Sequence, residues 1–198
     1  MTRAVGPFLL ELPLGQGGMG SVWRARHQPS GAAVAVKLVL PHLSRQSWVA
    51  PRFLGEVRAV ARLDHPHVVR VLDVGLAEDE VYSADGALAA EAGSPWLAME
   101  LLEGPPLYEL CGRLPWERAL VLLMQLLDAL GHAHARGVIH RDLKPGNVQV
   151  VSRGAVLLDF GLALARVARQ GPEPLDAGSG TAARARATRA ATASAVGW

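Results

Sequence analysis

The stretch His140-Arg141-Asp142-Leu143-Lys144-Pro145-Gly146-Asn147 brings a carboxylate, an ammonium group and an amide into one short loop. A second carboxylate follows 12 residues after Asn147, in Asp159-Phe160-Gly161. Asp142 can accept the proton of an attacking hydroxyl group, whereas Asn147 and Asp159 offer the oxygen ligands that Mg²⁺ prefers. Lys144 can neutralise charge on a phosphoryl group during its transfer. The spacing predicts a magnesium-dependent site for phosphoryl chemistry.

The two lysines of the chain support this interpretation. Lys37 and Lys144 are the only lysines among 20 basic residues, and Lys37 ends the apolar run Val34-Ala35-Val36. An ammonium group is a compact charge that suits a phosphate, so lysine is expected where a phosphate is bound. Glu56 follows on a predicted helix, where its carboxylate could pair with Lys37 and orient it. The alternative is that Glu56 is one more solvated helix residue.

A glycine-rich turn, Gly15-Gln16-Gly17-Gly18-Met19-Gly20, precedes Lys37. Glycines at this spacing let backbone N–H groups approach phosphate oxygens. The same spacing occurs in dinucleotide-binding folds, which require a helix to begin at the glycines. Here the alternation of residues 21–27 predicts a strand instead, followed by a turn and another strand. A dinucleotide-binding fold is therefore excluded.

Apolar periodicity divides the chain into a strand-rich part and a helical part. Residues 1–103 are predicted to hold five antiparallel strands, a helix from Pro51 to about residue 63, and a long polar, mobile loop over residues 76–95. Residues 104–170 are predicted to hold helices over 107–111 and 115–136, with short strands at 138–139, 148–151 and 155–158. The Ala/Arg-rich residues 171–198 are predicted to be a disordered tail. The five predicted strands of the first part cover residues 9–14, 21–27, 32–40, 68–74 and 96–102.

Bulk properties restrict the class of protein. The formal net charge is only +2 and the arginines are dispersed, so no basic stripe indicates a nucleic-acid partner. No apolar run is long enough to span a bilayer, and residues 1–14 make a poor signal peptide. The single cysteine, Cys111, cannot form an internal disulfide, and its expected role is packing. We therefore expect a cytoplasmic chain without a membrane segment.

From about residue 8 to residue 161 these motifs resemble those of eukaryotic-type (Hanks-type) bacterial serine/threonine protein kinases. The resemblance implies an α+β, two-lobed fold with a five-stranded antiparallel sheet and one helix in the N-lobe, and a mainly helical, incomplete C-lobe. It also implies ATP and Mg²⁺ as cofactors and a protein substrate with Ser or Thr hydroxyls. In this family Lys144-Pro145 is typical of the serine/threonine subgroup.

The resemblance assigns roles residue by residue. Catalysis falls to Asp142 and Lys144, with Lys37 held by Glu56, and the metal ligands are Asn147 and Asp159. It also implies how the nucleotide is held. The glycine loop of Gly15, Gly17 and Gly20 contacts the nucleotide, and Val22 and Ala35 cover the base. Met99 is the gatekeeper, and the backbone of Glu100 and Leu102 hydrogen-bonds adenine.

The family pattern stops after Gly161, because no Ala-Pro-Glu motif follows Gly180-Thr181. Residues 182–198 are either a genuine Ala-rich tail or the product of a reading frame lost near Thr181. Without further helices, the helix predicted over residues 115–136 keeps an apolar face that a partner could cover. Two functions stay open: an active serine/threonine kinase, or a truncated ATP-binding remnant that binds without turnover.

Overall fold

A computed structural model of the protein describes residues 2–160. The predicted tail, the last part of the predicted C-lobe and Gly161 lie outside the described residues. Ten strands and four α-helices occur within the described range, together with a 3₁₀ turn at Pro145–Asn147. Their bounds are β1 (Ala4–Val5), β2 (Phe8–Gln16), β3 (Gly20–His27), β4 (Ala33–Val39), α1 (Pro41–Ser44), α2 (Val49–Val60), β5 (Val71–Leu76), β6 (Val81–Tyr82), β7 (Leu88–Ala90), β8 (Pro95–Glu100), α3 (Leu107–Leu110), α4 (Trp116–His134), β9 (Val148–Val151) and β10 (Gly154–Leu157).

The upper lobe is an antiparallel sheet with the strand order β1-β2-β3-β4-β8-β5. The five predicted strands all form, and the two-residue strand β1 adds a sixth at the edge. β5 begins at Val71, three residues later than predicted, because the segment before it pairs with the other lobe: Val69 N–H donates to Leu157 O at 2.9 Å. One face of the sheet is buried in an apolar cluster that includes Phe8, Leu10, Trp23, Val36 and Ala98.

The loop predicted over residues 76–95 is not wholly irregular. It contains the small antiparallel hairpin β6–β7, in which Val81 pairs with Ala90. Both residues are buried and belong to the apolar cluster of the upper sheet. The prediction missed the hairpin because its strands have only two and three residues, too few for a periodic signal.

Helix α2 packs across the sheet through Phe53, Val57 and Val60, which are buried. It begins at Val49, two residues before Pro51, which lies in the first turn. Proline is tolerated there because the first N–H groups of a helix have no intrahelical acceptor. The helix ends at Val60, near the predicted position, and α2 thereby presents Glu56 on a fixed face.

The lower lobe packs α4 against the hairpin β9–β10. The buried residues of α4 are Leu122, Leu126, Ala129 and Ala133, which recur at helical spacing. Residues 138–139, predicted as a strand piece, form none; instead Val138 N–H donates to Ala133 O at 3.0 Å at the end of α4. No described helix has the length and apolarity needed to cross a membrane. The large apolar residues that α4 exposes are Trp116, Leu120, Val121, Leu123, Met124 and Leu127.

Backbone hydrogen bonds join the two lobes behind the cleft. Leu157 N–H donates to His67 O at 2.9 Å, in addition to the bond from Val69 N–H to Leu157 O. The ring of His67 hydrogen-bonds Ala155 O through Nδ1 at 2.8 Å. The segment after α2 is thus an extension of the β9–β10 hairpin, and it connects the end of α2 to the lower lobe.

A histidine pair lies beside this joint. His65 Nε2 is 3.1 Å from Asp128 Oδ2, and the rings of His65 and His132 are 5.0 Å apart. His132 Nε2 is buried and has no hydrogen-bond partner among the described residues. Burial lowers the pKa of His132, and the nearby charges of Arg136 and His65 act in the same direction, while Asp64 and Asp128 oppose them.

This environment makes stability depend on pH. Because the pKa of His132 lies below its usual 6.5 in the fold, the unfolded chain binds more protons than the folded chain, and stability falls as the pH drops below that value. We expect His132→Leu to lose less stability than the wild type between about pH 7.5 and about pH 5, measured by urea unfolding. The exposed His134→Leu is the control. Equal losses in the wild type and His132→Leu would contradict the assignment.

Candidate active site

A cavity of about 390 Å³ opens between the glycine-rich turn and the lower lobe. It brings together residues that are far apart in the sequence, from β2, β3, β4 and the two motifs of the lower lobe. Nine residues that the sequence predicted line it, namely Gly15, Gly17, Gly20, Val22, Lys37, Asp142, Lys144, Asn147 and Asp159. We call this space the interlobe cavity.

The glycine-rich turn forms the roof of the interlobe cavity. Gly17 N–H donates to Gly20 O at 2.9 Å, which closes the turn between β2 and β3. At Gly20 a Cβ atom would collide with the carbonyl oxygen of Leu38 on β4, so only glycine permits this close approach of the strands. At Gly15 and Gly17 a Cβ atom would meet no atom within 4 Å, so packing does not require glycine at either position.

Lys37 projects from β4 into the cavity and is buried, with 7% of its surface exposed. Its Nζ lies 2.7 Å from Asp159 Oδ1. Asp159 has a φ of +55° and Arg141 a φ of +63°, both in the left-handed region that non-glycine residues rarely adopt. Backbone strain of this kind concentrates at functional sites. Each of the two motifs therefore contributes one residue held in an unfavourable conformation.

The predicted ion pair between Glu56 and Lys37 is not formed within the described structure. Glu56 Oε1 instead lies 3.2 Å from Arg52 Nε, one helical turn earlier, and 3.6 Å from an Arg141 guanidinium nitrogen. Asp159 takes the position beside Lys37 that Glu56 was expected to occupy. Burial raises the pKa of Glu56, although both arginines lower it in part, and Glu56 Oε2 is buried without a hydrogen-bond partner among residues 2–160.

The loop of residues 140–147 holds Asp142 in a defined orientation. Asp142 Oδ2 accepts hydrogen bonds from Lys144 Nζ at 2.7 Å and from Asn147 Nδ2 at 2.9 Å. The hydrogen bond from Lys144 lowers the pKa of Asp142 most, and that from Asn147 adds to it against the effect of burial. Asn147 Nδ2 also donates to Asp142 O at 2.8 Å, and the side-chain oxygen Oδ1 of Asn147 has no hydrogen bond within residues 2–160, so it is available to another partner.

His140 connects the two motifs of the lower lobe. Its Nε2 hydrogen-bonds Leu158 O at 2.8 Å, and its ring lies 4.7 Å from that of Phe160. Leu158 N–H donates to Asn147 O at 2.9 Å. Burial lowers the pKa of His140, which favours the neutral ring. These contacts keep Asp142 and Asp159 at fixed relative positions.

An apolar cluster packs beside the cavity, between the sheet and β9–β10. Ala35 and Met99 are buried there with Val69 and Val156, and Val22 and Leu102 pack against them. Leu102 N–H has no acceptor within residues 2–160 and is free for a ligand. That Val22, Ala35, Met99 and Leu102 hold a base stays a prediction.

Glu100, at the end of β8, joins that strand to two other segments of the chain. Its Oε1 accepts hydrogen bonds from Arg70 N–H at 2.9 Å and from Arg153 at 2.6 Å. The sequence analysis did not predict the contacts of Arg153 or Arg141, because no local pattern indicates contacts between residues so far apart in the sequence.

Cys111 is exposed, which differs from its predicted packing role.

The raised pKa of Glu56 gives a prediction. Because the folded chain binds this proton more tightly than the unfolded chain, ionised Glu56 reduces stability as the pH rises above about 4.5. Glu56→Gln should therefore gain stability relative to the wild type between about pH 4 and about pH 7, followed by urea unfolding. Glu109→Gln, an exposed carboxylate on α3, is the control. A relative loss for Glu56→Gln would show that the arginine contacts outweigh burial.

Comparison with known proteins agrees with this geometry. Residues 8–183 match the protein kinase domain family. The serine/threonine-protein kinase pkn2 of Myxococcus xanthus is 40% identical over 164 residues, which cover 80% of this chain and 18% of pkn2. The serine/threonine-protein kinase PkaA of Streptomyces coelicolor is 38% identical over 180 residues, which cover 81% of this chain and 31% of PkaA.

Solved structures give the same result. The kinase domain of PknI from Mycobacterium tuberculosis superposes with a TM-score of 0.65 at 29% identity, covering 81% of this chain and 61% of the PknI chain. This chain spans less than a third of the length of pkn2 and PkaA. The family match, the two-lobed fold and the residues of the interlobe cavity agree, and the chain belongs to the protein kinase family, with bacterial serine/threonine kinases among its relatives.

Proposed function

We propose that this chain transfers the γ-phosphoryl group of Mg²⁺-ATP to Ser or Thr hydroxyl groups of proteins. One observation carries the proposal: the interlobe cavity collects the glycine-rich turn, one buried lysine and two carboxylates. The relatives are named serine/threonine-protein kinases, which supports the substrate class. The cytoplasm, which holds ATP, is the proposed compartment.

The chain's own residues suit the parts of ATP in turn. The apolar cluster of Ala35 and Met99, with Val22 packed against it, is the proposed contact surface for the adenine ring, next to the backbone of Glu100 and Leu102. The phosphates then lie beneath the glycine-rich turn, where backbone N–H groups are available. Lys37 has three donors, so it can contact a phosphate while it retains Asp159.

Asn147 and Asp159 fit a magnesium ion. The side-chain nitrogen of Asn147 donates to Asp142, which leaves the side-chain oxygen Oδ1 of Asn147 for a metal ion. Asp159 contributes a carboxylate in the same cavity. No cluster of three or more His, Cys, Asp and Glu residues suited to a metal occurs in the described part of the chain. This agrees with Mg²⁺, which commonly takes one or two side chains together with water and phosphate oxygens. The bound ion would supply neutralisation of phosphate charge.

Asp142 is the proposed base. It is ionised at neutral pH, since Lys144 and Asn147 hold its pKa below the usual range. A substrate hydroxyl placed against Asp142 loses its proton to the carboxylate as its oxygen attacks the γ-phosphorus; the bond from that phosphorus to the oxygen shared with the β-phosphate breaks, and ADP leaves. Lys144 can turn from Asp142 towards the transferred group. Because positioning supplies most of the rate in phosphoryl transfer, the two hydrogen bonds that orient Asp142 are part of its role.

A second candidate is a nucleotide-binding module that does not turn over. It is favoured by the position of Glu56, which contacts Arg141, in the loop of residues 140–147, rather than Lys37. In active protein kinases the pair between the strand lysine and the helix glutamate must be in place. This candidate retains the interlobe cavity and loses only the transfer step.

Nucleotide binding can be tested by thermal unfolding. Mg²⁺-ATP at a hundred times its dissociation constant should stabilise the chain by about 2.7 kcal/mol if the unfolded chain does not bind it. Asp159→Asn removes the carboxylate expected to hold the metal and should abolish most of the Mg²⁺-dependent shift. Asp79→Asn, in an exposed loop, should behave like the wild type. An equal shift in Asp159→Asn would contradict the metal assignment.

Transfer separates the two candidates. The 198-residue chain is incubated with γ-labelled Mg²⁺-ATP and a generic protein acceptor, and labelled serine and threonine are quantified. Under the first candidate, label is incorporated and Asp142→Asn lowers its rate by about 10²- to 10⁴-fold, the usual contribution of a general base. Nucleotide binding without label, in the wild type as in Asp142→Asn, would favour the second candidate.

A further inference from the structure

A groove of about 680 Å³ lies between strand β2 and the hairpin β6–β7. One wall is the second half of β2, residues 11–16, with two residues of β3 beside it. The other wall is the turn that joins β6 to β7, together with the start of β7. Of the residues that line this groove, only Gly15 and Gln16 also line the interlobe cavity. The groove is therefore distinct from the candidate active site, and we call it the strand groove.

The strand groove follows a free edge of β2. Strand β1 pairs only with Phe8 and Leu9, so no strand lies beside residues 11–16 on that side within residues 2–160. Residues 11–16 all line the groove. A groove over one face of a strand is lined by alternate residues, since successive side chains point to opposite faces. The unbroken run indicates that the groove exposes the backbone edge of β2, where N–H and C=O groups lack partners.

Exposed leucines surround this edge. Leu12, Leu14 and Leu88 are 61%, 52% and 40% exposed, and all three line the strand groove. Trp23 and Ala89, which also line it, are buried and belong to the apolar cluster of the upper sheet. The apolar lining thus continues from the sheet to the surface. Apolar patches of this kind, bordered by polar residues, mark sites of protein interaction.

The hairpin turn is a preformed wall of the strand groove. Ser83 N–H donates to Ala87 O at 2.8 Å, which closes the turn. Behind the turn, Val81 is buried in the cluster of the upper sheet, and Tyr82 N–H donates to Thr2 O at 2.9 Å. These contacts fix the hairpin on the sheet. A wall that is already ordered loses little conformational freedom when a ligand binds.

The charged residues that line the strand groove are both acidic, Glu11 and Asp85. Glu11 pairs with two arginines of β3. Asp85 has no cationic partner within residues 2–160, and hydrogen bonds from the Ser83 hydroxyl and a backbone N–H lower its pKa, so it is ionised at neutral pH. The segment that carries it, residues 76–95, contains five carboxylates and no Lys, Arg or His. The hairpin side of the groove is therefore complementary to basic side chains.

We propose that the strand groove binds an extended, apolar and basic segment of another protein, which adds to the free edge of β2 as a further strand. Apolar side chains of the segment pack on the exposed leucines, and basic side chains pair with Asp85. Residues 11–16 span about 20 Å, so a segment of about six residues fills the groove. Because Pro13 has no N–H to donate, side-chain contacts supply part of the affinity. Binding of such a segment requires neither ATP nor phosphoryl transfer, so it is tested separately from the proposed function.

The probe is a blocked, fluorescently labelled hexapeptide that alternates leucine and arginine, and its dissociation constant is measured by fluorescence anisotropy. The wild type should bind it saturably, and the same peptide with glutamate in place of arginine should bind at least about fivefold more weakly. Peptides N-methylated at all leucines or at all arginines test strand addition, because an added strand pairs through alternate residues. One of these two peptides should lose binding, and the other should retain it.

Two variants test the hairpin wall. Leu88→Ser should weaken binding of the leucine–arginine peptide about tenfold, and Asp85→Asn should weaken it about two- to fivefold. The matched controls are Leu120→Ser, at an exposed leucine of α4, and Asp64→Asn, at an exposed carboxylate after α2. Both controls should bind the peptide as the wild type does. The melting temperature of each variant verifies folding, and Leu88→Ala replaces Leu88→Ser if the latter does not fold.

Several results overturn the proposal. They are the absence of saturable binding, equal binding of the glutamate peptide, equal behaviour of the two N-methylated peptides, and unchanged binding by Leu88→Ser or Asp85→Asn. An equal loss in Leu88→Ser and Leu120→Ser has the same meaning, because it places the peptide on exposed apolar surface in general. A concentration-dependent dimer of the wild type that Leu88→Ser dissociates, measured by sedimentation, would assign the groove to a second copy of this chain instead.

Discussion

The backbone hydrogen bonds between the segment after α2 and strand β10 determine the arrangement of the whole molecule. Val69 N–H donates to Leu157 O, and Leu157 N–H donates to His67 O. This segment therefore pairs with the lower hairpin before the chain enters the upper sheet. Asp159 follows two residues after the end of β10. Strand β5 pairs with β8, and β8 pairs with β4, the strand that carries Lys37. The same joint therefore fixes both walls of the interlobe cavity, which explains how residues 37 and 159 come within 2.7 Å of each other.

Charge balance inside the cavity follows from this arrangement. Two carboxylates, Asp142 and Asp159, each lie 2.7 Å from one ammonium group, Lys144 and Lys37 respectively. A buried charge is costly unless it is paired, and Lys37 is the more buried of the two lysines. Among residues 2–160, the arginines that form ion pairs are 36–71% exposed at their side chains, whereas both lysines line the cavity. The composition of the chain thus reflects the geometry of one site.

Local patterns predicted the parts of the structure that depend on local constraints. The glycine turn, the strands around Lys37 and the position of Asp142 were predictable because spacing and period determine them. The partner of Glu56 was not, since Glu56 pairs with Arg52 and Arg141 while Lys37 pairs with Asp159, and no local pattern selects among these partners. The hairpin β6–β7 was missed because its strands are too short to give a periodic signal. The contacts of Glu100 with Arg70 and Arg153 were missed because they join segments that only the fold brings together.

The position of Glu56 has an energetic consequence. Its contacts with Arg52 and Arg141 involve side chains that are 36% and 51% exposed, and exposed ion pairs contribute only about 0–1 kcal/mol. Its second carboxylate oxygen is buried without a partner, which opposes them. The net free energy that these contacts of Glu56 contribute is therefore small. Lys37, the more buried lysine, takes its carboxylate partner from the lower lobe, at Asp159, rather than from α2, so one buried ion pair joins the upper sheet to the lower lobe.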